Sequence, residues 1–143
     1  HGGILYYVDC DGKPAEPCRV GSHDLAFSQG NFRYLDSYFG GSDFIGEEIV
    51  YEGEKPVWGM NYYGAVLNPT KITAAEAGAM IKASLSRMYA DGRFLGGWLH
   101  TENGLAYHDT SEGELTHFKG YEWIEKQEEK VYELFYHGGS IQS

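Results

Sequence analysis

Residues 43–66 read DFIGEEIVY-EGEK-PVWGMNYYGAV, and this stretch decides the fold class. Both arms are rich in β-branched and aromatic side chains. The polar, Gly-containing link suits a tight turn, so the stretch predicts a β-hairpin of strands 43–51 and 56–66. With Gly53 and Glu54 in the turn, Ile49 faces Trp58, Glu47 faces Met60 and Ile45 faces Tyr62 on one side of the ribbon. Glu48 then faces Gly59, and Gly46 faces Asn61, on the other side, because successive strand residues point to opposite faces. This register sets Glu47 among apolar and aromatic neighbours, where desolvation raises a carboxyl pKa, and leaves room beside Glu48 for a ligand. A slip of one residue exchanges the two faces.

Working outward, strands at 115–124 and 130–137 predict a second hairpin across Lys126-Gln127-Glu128-Glu129. A Gln127-Glu128 turn places Glu122 opposite Glu133, and Phe118 opposite His137 on the same face. Facing like charges cost stability unless they share a proton or bind a cation. Glu122, Glu133 and His137 are therefore candidates for an acid/base pair or a hard-metal site, and a longer turn would dissolve the cluster. Between the hairpins, Thr73 and Glu76 form a capping-box pattern. Ala77, Met80, Ile81, Leu85 and Met88 then recur with helical spacing up to Asp91-Gly92, which predicts one helix over 74–90. Residues 4–9, 23–27, 31–39 and 104–109 read as further strands, and no internal repeat is evident. The expected architecture is α+β. One principal helix packs on a curved, mainly antiparallel sheet of six or more strands, in a single domain over 1–143.

The chain of 143 residues carries 21 acidic against 11 basic side chains, a net charge of −10. That balance repels a polyanion, so nucleic acid is excluded as a partner. No apolar run reaches the length of a membrane span, and the start has no signal-peptide pattern, so a cytoplasmic location is expected. The start at His1, without Met, suggests a processed or truncated end, and an N-terminal His is itself a copper-binding candidate. Cys10 and Cys18 are too far apart for a Cys-x-x-Cys motif and read as two reduced thiols, with a disulfide across Lys13-Pro14 as the alternative.

Several motifs in one order resemble a bacterial and archaeal domain-of-unknown-function family. They are Gly21-Ser22-His23-Asp24-Leu25, Tyr34-Leu35-Asp36-Ser37-Tyr38-Phe39-Gly40-Gly41 and Phe44-x-Gly46-Glu47-Glu48-x-Val50. Pro56-Val57-Trp58-x-Met60-Asn61-Tyr62-x-Gly64, Phe118-x-Gly120-Tyr121-Glu122-x-Ile124, Val131-Tyr132-Glu133 and His137-Gly138-Gly139 follow. The resemblance covers about residues 21–139. Its members stand alone or follow helix-turn-helix regulators, which implies ligand sensing but no particular activity. This chain carries no helix-turn-helix segment, and residues 1–20 match poorly.

The remaining candidates lie on strands. His23 and Asp24 open a strand and either face a pocket or, with Ser22, close a turn. Asp36 sits between Tyr34 and Tyr38, where it bonds a tyrosine hydroxyl or recognises a polar or cationic ligand between aromatic walls. Trp58, Asn61, Tyr62 and Tyr121 complete the expected aromatic and polar lining. His100, His108 and His117 read as surface residues. The function these residues support is binding of a small polar molecule in an aromatic, carboxylate-bearing pocket. A small enzyme using Glu47 or the Glu122/Glu133 pair, with His137, is the first alternative. A protein-interaction module is the second. The cofactor stays unspecified, and a homo-oligomer stays open.

Overall fold

The computed structural model describes residues 13–142. The expected strand at 4–9, His1 and a Cys10–Cys18 pairing lie outside the described residues. The strands are β1 (Lys13–Ala15), β2 (His23–Gln29), β3 (Phe32–Gly40), β4 (Asp43–Glu52) and β5 (Lys55–Val66), followed by β6 (Trp98–Glu102), β7 (Leu105–Glu114), β8 (His117–Lys126) and β9 (Glu129–Ser140). All neighbours pair antiparallel in one open sheet, in the order β1-β2-β3-β4-β5-β9-β8-β7-β6. The short β1 and β6 form the edges, where short strands limit edge-to-edge association. The fold is mainly β, with α1 (Ala74–Ala90) packed on the sheet.

The order is symmetric about the β5–β9 seam, and so are the residues. Tyr34 and Asp36 on β3 recur as Tyr107 and Asp109 on β7. Phe44, Gly46 and Glu48 on β4 recur as Phe118, Gly120 and Glu122 on β8. Tyr62 and Gly64 on β5 recur as Tyr136 and Gly138 on β9. Across the seam Tyr62 is paired with Tyr136, and exchanging the halves turns the Met60–Gly138 pair into the Gly64–Leu134 pair. The register therefore maps onto itself about the Tyr62–Tyr136 pair. The sequence reading of no internal repeat is corrected: β2–β5 and β6–β9 are two copies of one four-stranded unit.

Both hairpins carry the same irregularity, and it overturns both expected registers. Next to the turns the expected pairs form, Tyr51 with Pro56 and Glu125 with Lys130. One step further the register shifts, so that Val50 meets Trp58 and Ile124 meets Tyr132, leaving Val57 and Val131 as the extra residues of β-bulges. Each bulge is tied to the other half: the Val131 carbonyl accepts from Leu67 N (2.8 Å), and the Val57 carbonyl from Ile141 N (3.0 Å). A bulge exchanges the faces beyond it. Glu48 and Glu122 consequently lie on the helix-covered inner face, and Glu47 and Glu133 on the outer face.

The helix forms where its pattern places it. Thr73 accepts from Glu76 N (3.0 Å), and the Glu76 carboxylate accepts from Thr73 N (3.1 Å), completing the capping box. Its buried stripe is Ala77, Met80, Ser84 and Met88, with Ile81 and Leu85 only partly buried. Ile72, Ala77 and Met80 pack on Leu105, Tyr107, Ile124, Val131 and Tyr132 of the second half. Among the described residues, no second helix covers the first half. Phe94, Leu95 and Leu115 pack there on a second cluster of Tyr34, Val50, Trp58, Phe118 and Tyr136. The β6–β7 hairpin, turning at Asn103-Gly104, adds a strand absent from the sequence reading. It also buries His100, which was expected at the surface.

Candidate functional site

Between α1 and the inner face lies a cavity of about 290 Å³. Its floor is the repeated motif. Asp36 is the cross-strand neighbour of Glu48, and Asp109 that of Glu122, so two pairs of like-charged residues sit directly opposite one another. Each of the four carboxyls receives a tyrosine hydroxyl. Tyr34 donates to Glu48 and Tyr107 to Glu122. Tyr62 Oη donates to Asp36 Oδ1 (2.6 Å) and Tyr136 Oη to Asp109 Oδ1 (2.7 Å). Gly46 and Gly120 explain how the tyrosines reach across. A Cβ at either position would collide with the ring of its cross-strand partner, Tyr62 or Tyr136, which lies over the bare glycine.

Burial dominates the electrostatics. It raises the Glu122 carboxyl to about 8, with the Tyr107 hydrogen bond opposing and the Asp109 charge adding. Burial raises Asp109 to about 6 against the Tyr136 hydrogen bond. Asp36 and Glu48 are raised together by burial, and the negative charge of Asp36 pushes Glu48 further up. The Glu122 charge is also felt at Glu48, so the two halves communicate through the cavity. The tyrosines are held protonated by burial and by these anions.

The other walls are apolar: Phe44, Met60 and Leu134 from the sheet, Ile81, Leu85, Met88 and Tyr89 from α1, and Phe94 beyond it. Among the described residues, no Lys, Arg or His lines the cavity. Tyr132, on the wall beside Glu122, is 1% exposed, and its hydroxyl has no hydrogen-bond partner of acceptable geometry. Burial raises the Tyr132 phenol's pKa, and the charge of Glu122 and a hydrogen-bond approach to it, short of good geometry, raise it further. The arrangement can accept several hydrogen bonds, hold protons on buried carboxyls and neutralise a cation.

Of the residues the sequence singles out, Asp36, Glu48, Tyr62 and Glu122 line this cavity, and Tyr34 stands behind Glu48. The others lie elsewhere. Glu47 is exposed, reversing its expected burial, because the bulge moves it to the outer face. Glu133 and His137 are also outward, so the expected cluster with Glu122 does not form. Glu133 accepts instead from Tyr121 Oη (2.7 Å), which in turn accepts from Lys130 Nζ (2.7 Å). Asn61 is exposed on that same face. Trp58 is core: its indole donates to the Leu115 carbonyl (2.9 Å) and stacks on Phe118 at 5.8 Å between centroids. Asp24 is buried, but it accepts from Ser22 Oγ (2.6 Å) and Ser37 Oγ (3.1 Å), closing the turn before β2. His23 is exposed and packs on Tyr38 at 5.1 Å.

Sequence reasoning missed Tyr107, Asp109, Tyr132 and Tyr136. The signal was present as Tyr-x-Asp at 34–36 and 107–109, Phe-x-Gly-x-Glu at 44–48 and 118–122, and Tyr-x-Gly at 62–64 and 136–138. Among the described residues, no group of three or more His, Cys, Asp or Glu side chains is arranged to hold a metal ion. No described helix is long and apolar enough to cross a membrane.

No curated protein and no solved structure matches the chain. One family does, over residues 36–141, a stretch that runs from the first cavity aspartate to the end of the sheet. The chain belongs to the family described as Domain of unknown function (DUF5680).

Proposed function

We propose that this domain binds a small, hydrogen-bond-donating molecule, cationic at neutral pH, in the cavity between α1 and the inner face of the sheet. The observation that carries the reading is the composition of the wall: four carboxyls with their tyrosine hydroxyls, an otherwise apolar lining and, among the described residues, no basic side chain. An ionised carboxylate has about four acceptor sites, and one tyrosine hydroxyl occupies only one of them. Acceptors therefore outnumber donors, and a bound amine or guanidine supplies what is lacking. The volume suits a small ligand, at the lower end of the usual range of about 300–1,000 Å³. The overall charge of −10 favours a cation and disfavours polyanions.

The test is a shape-matched trio: benzylamine, benzyl alcohol and benzoate, followed by thermal unfolding and by NMR of the tyrosine rings. Benzylamine should raise the melting temperature and move the Tyr62, Tyr132 and Tyr136 signals, while benzoate should do neither. Stabilisation reaches about 2.7 kcal/mol at 100 times the dissociation constant. Benzoate binding as well as benzylamine would contradict the reading.

A second reading has its own support. Carboxyls raised toward neutrality, as at Asp109 and Glu122, suit general acid–base work on a bound molecule. Its centre would be these two residues rather than Glu47 or a Glu122/Glu133 pair. Chemical turnover of a bound amine, lost in Glu122→Gln, would favour it over simple binding. The interaction-module alternative would use the outer face, where Ile45, Tyr63, Phe135 and Tyr121 form one row across four strands. Sedimentation of the chain beside Phe135→Asp tests that reading.

A further inference from the structure

We infer that the occupant is a single molecule with an ammonium group at each end, one end on the Asp36–Tyr62 pair and the other on the Asp109–Tyr136 pair. The inference rests on the cation-binding reading above and specifies its ligand class. Its first support is the symmetry of the floor. Tyr62 and Tyr136 are cross-strand partners at the centre of the repeat, and each donates to its own aspartate. Two equivalent acceptor groups thus open into one cavity on either side of one axis.

The second support is what lies between them. On the two central strands Met60 and Leu134, equivalent in the two halves, line the cavity, and Ile81 and Leu85 of α1 line it as well. Glu48 and Glu122 stand between these strands and the aspartates. The apolar centre accommodates methylene groups, and each glutamate lies beside its own aspartate at an end of the site. A third support is Tyr132, whose buried hydroxyl approaches Glu122 without reaching good hydrogen-bond geometry. A primary ammonium has three N–H donors. At this end it meets Asp109, Glu122 and the Tyr132 oxygen. Charge balance points the same way, because a monocation leaves the second aspartate uncompensated in a desolvated site, whereas a dication neutralises both.

The experiment is calorimetry on the intact chain at neutral pH. The terminal diamines of butane, hexane and octane are compared with butylamine, hexylamine and octylamine. Expected is one best chain length, at which the diamine binds at least about tenfold tighter than its monoamine. Asp36→Asn and Asp109→Asn should each erase that gain. In wild-type protein, nuclear Overhauser contacts from the two terminal methylenes should reach both the Tyr62 and the Tyr136 rings, a readout that needs no variant to fold. Equal affinities for diamine and monoamine, or contacts confined to one tyrosine, overturn the inference and leave the cation-binding reading standing. Failure of every amine to bind contradicts both.

Discussion

In the first half of the sheet Trp58 lies under Phe94 and Phe118, with its indole N–H donated to Leu115. In the second half the equivalent residue is Tyr132. It lies under α1, and its hydroxyl approaches Glu122 at the cavity wall without reaching good hydrogen-bond geometry. The strands beneath are the same unit twice over, down to the bulged valines and the tyrosine-bonded acids. What differs is the cover, because among the described residues α1 packs on the second half while Phe94, Leu95 and Leu115 pack on the first. The repeat thus sets the polar floor, and the non-repeated α1 and Phe94 segments determine which wall residues stay available. Equivalent positions should therefore respond alike on the floor and differently under the cover.

The largest expected contrast is under the cover. Trp58→Ala should cost about 3–5 kcal/mol in urea unfolding, the usual penalty for emptying a buried aromatic site. Tyr132→Phe should cost no more than about 1 kcal/mol, since it removes a buried hydroxyl that only approaches Glu122 outside good hydrogen-bond geometry. A large loss from Tyr132→Phe would mean that the hydroxyl has a structural partner. On the floor, Tyr34→Phe and Tyr107→Phe should each cost about 1–3 kcal/mol, because each removes a donor from a buried glutamate. Agreement between the two within about 1 kcal/mol sharpens the equivalence of the halves, and a clear inequality breaks it.

The pH dependence follows from the raised carboxyls. Asp109 at about 6 and Glu122 at about 8 both lie above their usual values, so the folded state holds more protons than the unfolded one. Stability attributable to them is greatest at or below about pH 4, falls as pH rises from there to about 8, and is level above that. Glu122→Gln should flatten the upper part of this fall and leave the variant more stable than wild type at pH 9 by at least about 1 kcal/mol. Stability rising across this window would contradict the burial of these groups.

The smallest expected effect is at the second turn. Gln127 and Glu128 both have positive φ, at 52° and 65°, where the first turn has Gly53. Glu128→Gly should therefore stabilise the chain by up to about 1 kcal/mol.

The elements were legible because their signals are local. The capping box and the apolar stripe mark α1 to the residue, and the turn chemistry marks both hairpins. The faces were not legible, because they depend on the bulges. Pro56, which lacks an N–H and sits beside the first bulge, was the only residue hinting at one. At the second hairpin Lys130 occupies that place and hints at nothing. Each bulged valine carbonyl accepts a long-range bond, from residue 67 at Val131 and from residue 141 at Val57. Reading hairpins one at a time misses such a bond. Comparing the two hairpins would have recovered Asp109 and Tyr136 as counterparts of Asp36 and Tyr62.

The most direct measurement is a carbon-detected NMR titration of the side-chain carboxyls of Asp36, Glu48, Asp109 and Glu122 in the unliganded chain. Expected are four midpoints above the usual carboxylate range, with Glu48 moving like Glu122 and Asp36 like Asp109. Four ordinary midpoints near 4 would contradict it, because the acids would then stand in water and the two halves would share no enclosed site.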